Sequence, residues 1–281
     1  MRVAVTGASG FIGRHVLAEL EHYPVEIFAV TRDATRLENL SHGVCVVEMN
    51  IALPLEDYFT RLGCPDLLIH LAWDGLPNYK SLHHFETELP KQYHFLKSMI
   101  EAGLSSVLVA GTCFEYGMQS GELSEEVIPR PDNPYGYAKN ALRQQLDFLK
   151  SAIPFNLVWG RIFYMYGGGQ PVSSLYSQLK DAVLRGDNTF NMSGGEQLRD
   201  YLSVTEVARS IVQLALSERD IGAVNICSGS PISVRRLVEQ WLIEFKWEMQ
   251  LNRGYFPYPY YEPMAFWGNA TKLQGILRSN Q

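Results

Sequence analysis

Four cysteines in 281 residues are too few and too scattered to build a disulfide scaffold: Cys45, Cys64, Cys113 and Cys227 stand far apart, and no C-x-x-C pair is there to hold a metal. Reduced thiols and a cytoplasmic protein are expected. No apolar run reaches the roughly 18 residues needed to span a bilayer. The chain enters its first strand at Arg2 without a charged leader or apolar cleavage segment, so no membrane partner is expected. Basic charge is not in excess either. The 24 Lys and Arg against 30 Asp and Glu leave a net charge of −6, with no basic cluster to neutralise a run of phosphates, which argues against nucleic acid as a partner. The histidines lack ligand spacing: His83 and His84 sit beside Glu86 and Glu88, but neighbouring histidines at a helix start are more often solvated than ligating, so no metal is expected. Internal repeats and low-complexity tails are absent.

What is present is a chain with 46% hydrophobic residues, enough for a full core in one large α/β domain with an appended lobe. Short apolar runs predict strands at Val3 to Thr6, Glu26 to Val30, Val44 to Val47, Leu67 to Leu71, Val107 to Ala110 and Phe155 to Arg161. Helix-period segments lie between them. Leu96, Met99, Ile100 and Leu104 form one apolar stripe, and Leu142, Leu146 and Leu149 another. Pro90 predicts that its helix starts or kinks there. Alternation of this kind implies a parallel sheet covered on both faces. Beyond Tyr166 the regularity fades into turn-rich and aromatic-proline stretches, which read as a second lobe. A strand at Ala223 to Ile226 and a helix capped by Ser233 bring the chain back toward the sheet.

The first strand runs into VAVTGASGFIG. Gly7, Gly10 and Gly13 open a helix from Phe11 to Leu20, the context in which backbone amides and a helix N-terminus hold a pyrophosphate. Ser9, Phe11 and Ile12 of the same turn are assigned to the cofactor site with them. A glycine-punctuated turn is the plain alternative, and the motif alone is weak. The next strand ends at Val30 and is followed by Thr31, Arg32 and Asp33. A carboxylate there would bind the ribose hydroxyls of NAD, and an arginine would take the extra phosphate of NADP. Thr31 stands at the carboxylate's position and Arg32 follows, with Arg36 in reach as a second cation, so NADP is favoured over NAD.

Tyr135 and Lys139, four residues apart on a predicted helix, share a face. A nearby ammonium favours phenolate, which predicts a tyrosine pKa drawn down from about 10. Thr112, on the loop after the fifth strand, could donate to a substrate carbonyl while Tyr135 protonates it. Such a pair on an exposed helix is often inert; its order after the glycine turn is what gives it weight.

With these residues in place the chain resembles the extended short-chain dehydrogenase/reductase family over essentially its whole length. The motifs run in order: TGASGFIG, DLLIHLAW from Asp66, GTCFEYG from Gly111, NPYGYAK from Asn133, GRIFYMYG from Gly160 and RDYLSV from Arg199. The resemblance implies a Rossmann-type doubly wound parallel sheet, residues 1–165 with 200–227, and a small C-terminal α/β lobe for a nucleotide sugar, residues 166–199 with 228–281. It gives Thr112, Tyr135 and Lys139 the hydroxyl, acid/base and supporting-lysine roles. It places Asn50 and Ile51 near adenine, Leu71 and Ala72 near the pyrophosphate, and Arg199 on the substrate's diphosphate. Cys113 and Tyr164 are assigned to the substrate with Thr112 and Arg199. A homodimer through the helices flanking the catalytic one is a further family expectation, although an internal stripe explains the same apolar residues.

The departures from the family pattern are also informative. Sugar-nucleotide 4,6-dehydratases carry an Asp-Glu pair after the hydroxyl residue, and Cys113 and Phe114 stand there instead. Glu88 and Tyr164 occupy positions where relatives often have Asn. The GTCFEYG loop resembles that of reductases and dehydrogenases of 6-deoxyhexose nucleotides. The resulting expectation is NADPH-dependent reduction of the C4 carbonyl of a nucleotide-linked 4-keto-6-deoxyhexose, dTDP-linked by preference, for bacterial glycan synthesis. A nucleotide-sugar 4-epimerase with tightly bound NAD and a non-catalytic NADP-binding protein are the alternatives.

Overall fold

The apolar runs pair into one seven-stranded parallel sheet whose inner strands are buried on both faces, while the edge strand Val44–Glu48 stays partly exposed. A computed structural model describes residues 1–37, 43–53, 57–258, 260 and 262–279. The first five strands are β1 (Arg2–Thr6), β2 (Glu26–Thr31), β3 (Val44–Glu48), β4 (Leu67–His70) and β5 (Ser106–Thr112). Across the sheet the order is Gly222–Ile226, Asn156–Ile162, β5, β4, β1, β2, β3. The chain winds outward from β1 in one direction and from β4 in the other, so the two strands flank a crevice at their carboxyl ends. That is where open α/β sheets bind ligands.

The helices are α1 (Phe11–Leu20), α2 (Tyr58–Arg61), α3 (Leu89–Glu101), α4 (Pro134–Ala152), α5 (Leu175–Arg185), α6 (Val204–Leu216), α7 (Val234–Glu244) and α8 (Thr271–Ser279). One face of the sheet packs Val16, Leu17 and Leu20 of α1 with Val207, Ile211 and Val212 of α6. The other packs Leu96, Met99 and Ile100 of α3 with Leu142, Leu146 and Leu149 of α4, so both predicted stripes are spent on the chain's own core. Pro90 lies in the first turn of α3, where its missing N–H costs nothing, and a π-helical turn, His84–Glu88, leads into it.

The smaller lobe has its own core of Leu179, Phe190, Met192, Leu237 and Trp241, carried by α5, α7 and short paired strands. Ser233 caps α7 by accepting from Arg236 N, as its position predicts. The sequence assigns the whole tail to this lobe, but α8 returns to the main layer, where Leu273, Ile276 and Leu277 join the α1–α6 core. Among the described residues no helix is long and apolar enough to cross a membrane.

Candidate active site

The turn after β1 can pass close to the neighbouring chain only without side chains. Gly7 has φ +69°, and a Cβ there would lie 2.8 Å from Ala72 N; a Cβ on Gly13 would lie 2.2 Å from Gly7 O. Gly10 precedes α1 without any side-chain cap, and the first turn of α1 holds no acidic residue. Its amides, those of Phe11 and Ile12 included, are therefore left for an anion. A cleft of about 320 Å³ opens there, lined by Gly7, Ser9, Gly10, Arg32, Asn50, Ile51, Leu71 and Ala72 of the predicted set. The residues present fit a dinucleotide.

The same cleft is also lined by Asp33, Arg36, Trp73, Asp74, Glu88 and Lys91. Of these, Trp73 closes the DLLIHLAW run and was not assigned to the site by its motif. At the far end, Thr31 is held inward, its hydroxyl paired with Ser9 Oγ at 2.9 Å and donating to Asp33 O at 3.1 Å. The Asp33 carboxylate is taken up by Thr35, which donates to it through its hydroxyl at 2.6 Å and its amide at 3.1 Å. Asn50 closes a local turn by accepting from Ala52 N.

Thr112 ends β5 and caps the turn Cys113–Tyr116, and Tyr135 enters on the first turn of α4, which Asn133 caps. The helix can press against that turn because residue 136 is glycine: a Cβ there would meet Phe114 O at 2.4 Å. The Thr112 side chain acts on the Tyr135 phenol from the end of β5, favouring its ionised form. Around that phenol stand the rings of His84, Tyr79, Trp73 and Phe114, with centroids 5.3, 5.6, 6.0 and 6.4 Å from its own. Tyr79 also accepts from Tyr135 N.

This enclosure overturns one expectation. Burial pushes the Tyr135 phenol up rather than down, the nearby Tyr79, Glu115 and Cys113 add to it, and the Thr112 side chain opposes it. Lys139 is not seated on the phenol. Its Nζ donates to Ala110 O at 2.8 Å and lies over the Trp73 ring, where burial draws its pKa down to about 7 against the pull of Glu115 and Glu88. A shared helix face brings the two side chains near each other, but the low-dielectric surroundings decide the sign of the shift.

Behind the cleft runs a buried polar chain. Glu88 Oε2 accepts from Gln92 Nε2 at 2.9 Å, so Gln92 Oε1 must accept, and His70 Nε2 donates to it at 2.8 Å. His70 Nδ1 is then the acceptor for the Thr6 hydroxyl. Burial lowers the His70 pKa to about 3, which keeps the ring neutral. Ligand atoms of Asp74, His83 and Glu88 come within 4.8 Å of one another, but Arg32 and Lys91 already lie 3.4 and 3.8 Å from the two carboxylates.

Toward the lobe, Cys113 is buried and its thiol pushed up by desolvation. Arg199 is also buried: its guanidinium donates to Glu262 Oε2 at 2.8 Å and stacks 4.6 Å from the Phe266 ring centroid. Tyr164 donates to the other oxygen of Glu262 at 2.6 Å. The three residues predicted to meet substrate beyond Thr112 thus converge, and Glu262, 63 positions from Arg199, ties two of them together. No local motif signals that carboxylate. In the aromatic-proline stretch before it, Pro259 and Tyr261 lie outside the described residues.

The model of the NAD dependent epimerase/dehydratase family matches residues 3–227. A dTDP-6-deoxy-L-talose 4-dehydrogenase (NAD(+)) from Aggregatibacter actinomycetemcomitans is 32% identical over 270 residues, covering 95% of this chain and 99% of that protein. A dTDP-4-dehydro-6-deoxyglucose reductase from Escherichia coli is 24% identical, over 87% of this chain and 81% of its own. Among solved structures, MoeE5 in complex with UDP-glucuronic acid and NAD superposes with a TM-score of 0.83 at 27% identity, covering 99% of this chain and 93% of that one.

Proposed function

The chain belongs to the NAD dependent epimerase/dehydratase family, and from that premise we propose that this nucleotide-sugar oxidoreductase reduces the C4 carbonyl of a 4-keto-6-deoxyhexose nucleotide. The dTDP-linked sugar is the favoured substrate, NADPH the reductant, and the cytoplasmic stage of bacterial glycan synthesis the setting. The observation that carries this reading is the packing of α4 against the turn after β5, which sets the Thr112 hydroxyl and the buried Tyr135 phenol together as a donor and an acid for one carbonyl oxygen. The similarity to two proteins named for 6-deoxyhexose chemistry supports the substrate class.

A nicotinamide dinucleotide bound in the cleft supplies the hydride. Gly7, Gly10 and the first-turn amides of α1 would hold its pyrophosphate with Leu71 and Ala72, and Asn50 and Ile51 would take the adenine end, all but the α1 residues lining the cleft. Thr112 orients the carbonyl, and Tyr135, held as the neutral phenol by burial, gives its proton to the carbonyl oxygen. The Lys139 cation steadies the phenolate left behind. Arg199, once released from Glu262, binds the substrate's diphosphate. Cys113 and Phe114, in place of an acid-base pair, give no route for eliminating water.

Cofactor choice rests on the end of β2, where Asp33 is engaged by Thr35 while Arg32 and Arg36 line the cleft, an arrangement that supports NADPH. The 32% relative is named for NAD(+), so either outcome is informative. A homodimer, if formed, would use outward residues such as Phe148 and Tyr137, 78% and 53% exposed, since the α4 leucines are buried; sedimentation checks it. The decisive experiment is a panel of nucleotide-linked 4-keto-6-deoxy sugars, following NADPH absorbance and identifying the product. Net consumption supports the reductase. Cofactor retained through purification, with sugar interconversion and no net consumption, supports the 4-epimerase instead.

A further inference from the structure

We propose that Glu115 is a positioning residue of this active site: its buried carboxylate pins the turn that carries Thr112 and serves as the counter-charge to the Lys139 ammonium. The proposal rests on the roles given above to Thr112, Tyr135 and Lys139.

Glu115 has no exposed surface. Its Oε1 accepts from Thr112 N at 2.9 Å and from Trp159 Nε1 at 2.8 Å, and its Oε2 from Arg161 Nε at 2.9 Å. Arg161 in turn donates to Tyr116 OH at 3.0 Å, and Tyr116 donates to Asn225 Oδ1 at 2.7 Å, which fastens the turn to the strand Gly222–Ile226. The packing leaves room for this carboxylate and nothing more. A Cβ on Gly111 would lie 2.3 Å from Trp159 Nε1 and 2.7 Å from Glu115 Oε1.

A buried ion pair adds little stability compared with apolar residues of the same shape. Apolar side chains could fill the same volume, so the charge calls for another explanation. Lys139 provides one: its Nζ donates to Ala110 O, two residues before the amide that Glu115 accepts, so both groups hang from the same end of β5. The charged and titratable groups acting on that ammonium are Glu115 from the turn and Glu88 from the start of α3, Glu115 having the stronger pull. Its other titratable neighbours are His70 on β4, which is neutral, His84 at the start of the π-helical turn, whose pKa burial lowers, and Tyr135 on its own helix. Without Glu115, a lysine already drawn down to about 7 by burial would be neutral at working pH.

The test is a titration of Lys139 by NMR in protein carrying 13C at the lysine ε-carbon, with Lys139→Met to identify its signal. Wild type and Glu115→Asp, which keeps the charge, should share a midpoint. Glu115→Gln should lower it by at least about one unit, a tenfold loss of proton affinity. Because that variant leaves Arg161 buried and unpaired, the double variant Glu115→Gln with Arg161→Gln is made alongside it; the midpoint should fall there too, by less, since a buried cation leaves with the carboxylate. In turnover, Glu115→Gln should move the alkaline limb of the kcat profile to lower pH. Glu115→Asp should keep the limb but lower kcat, since the shorter side chain cannot reach Thr112 and Arg161 together. A midpoint unchanged in the Gln variants would overturn the proposal, as would Glu115→Asp with wild-type kcat. The titration needs no substrate. A lowered midpoint in a protein that reduces no keto sugar would keep Glu115 in its role and remove the reductase reading alone.

Discussion

The Lys139 ammonium lies 3.9 Å from the centroid of the Trp73 ring and 6.0 Å from that of Tyr135, so the indole, not the phenol, is its nearer aromatic partner. A desolvated cation–π contact of this kind is worth about 2 kcal/mol. It holds the buried lysine in place against Trp73, which lines the cleft, while Tyr135 keeps its proton, the state in which a phenol can act as an acid.

Replacing Tyr135 with Phe removes one hydroxyl and keeps the ring that packs in the aromatic box, so the fold should be little changed. Turnover should fall about 10²- to 10⁴-fold, the usual share of general acid catalysis. Steady-state kinetics beside a thermal melt checks both, and a variant with wild-type kcat would remove Tyr135 from the reaction.

The Arg32→Ala, Arg36→Ala double variant tests cofactor choice. Each charge-assisted bond to a phosphate contributes roughly 1.5–3 kcal/mol, so kcat/KM with NADPH should drop at least about tenfold while the value with NADH stays nearly constant. Equal losses with both cofactors would count against a phosphate contact.

Gly7→Ala should weaken both fold and cofactor binding. The residue sits at φ +69° with Ala72 N 2.8 Å from the position of a Cβ, and such backbone strain costs of order 1–3 kcal/mol. Denaturant unfolding and a cofactor titration measure the two effects.

Stability should rise with pH in two windows. His70 has a folded-state pKa of about 3 against 6.5, so below about 6.5 the unfolded chain binds a proton that the folded one refuses. Stability is therefore lost as pH falls from 6.5 toward 3, by about 1.4 kcal/mol per unit for this one group. Lys139, drawn down to about 7 from 10.5, gives the same sign: stability increases as pH rises from 7 toward 10.5. Unfolding of wild type and His70→Gln across the acid window checks the first, and the variant should show the shallower slope.

Glu262→Ala should leave Arg199 as an uncompensated buried cation, at a cost of about 3–5 kcal/mol. A nucleoside diphosphate such as dTDP should then raise the melting temperature of the variant more than that of wild type. An equal shift in the two proteins would mean that Arg199 does not meet the diphosphate.

Much of this was legible in the residues. Uninterrupted apolar strands specify a parallel sheet, glycine spacing specifies the close pass of β1 and α1, and the four-residue interval puts Tyr135 and Lys139 on one face of α4. These are local matters of backbone period and of the space a Cβ occupies, and the chain carries them at neighbouring positions. The tertiary structure decided which groups surround the reacting ones. It set Trp73, Tyr79 and His84 around a tyrosine some fifty or more residues away, joined Arg199 to Glu262, and buried Glu115 against Arg161. The sign of the Tyr135 shift and the charge on Lys139 follow from desolvation, which depends on every element packed around a site and therefore on the folded chain as a whole.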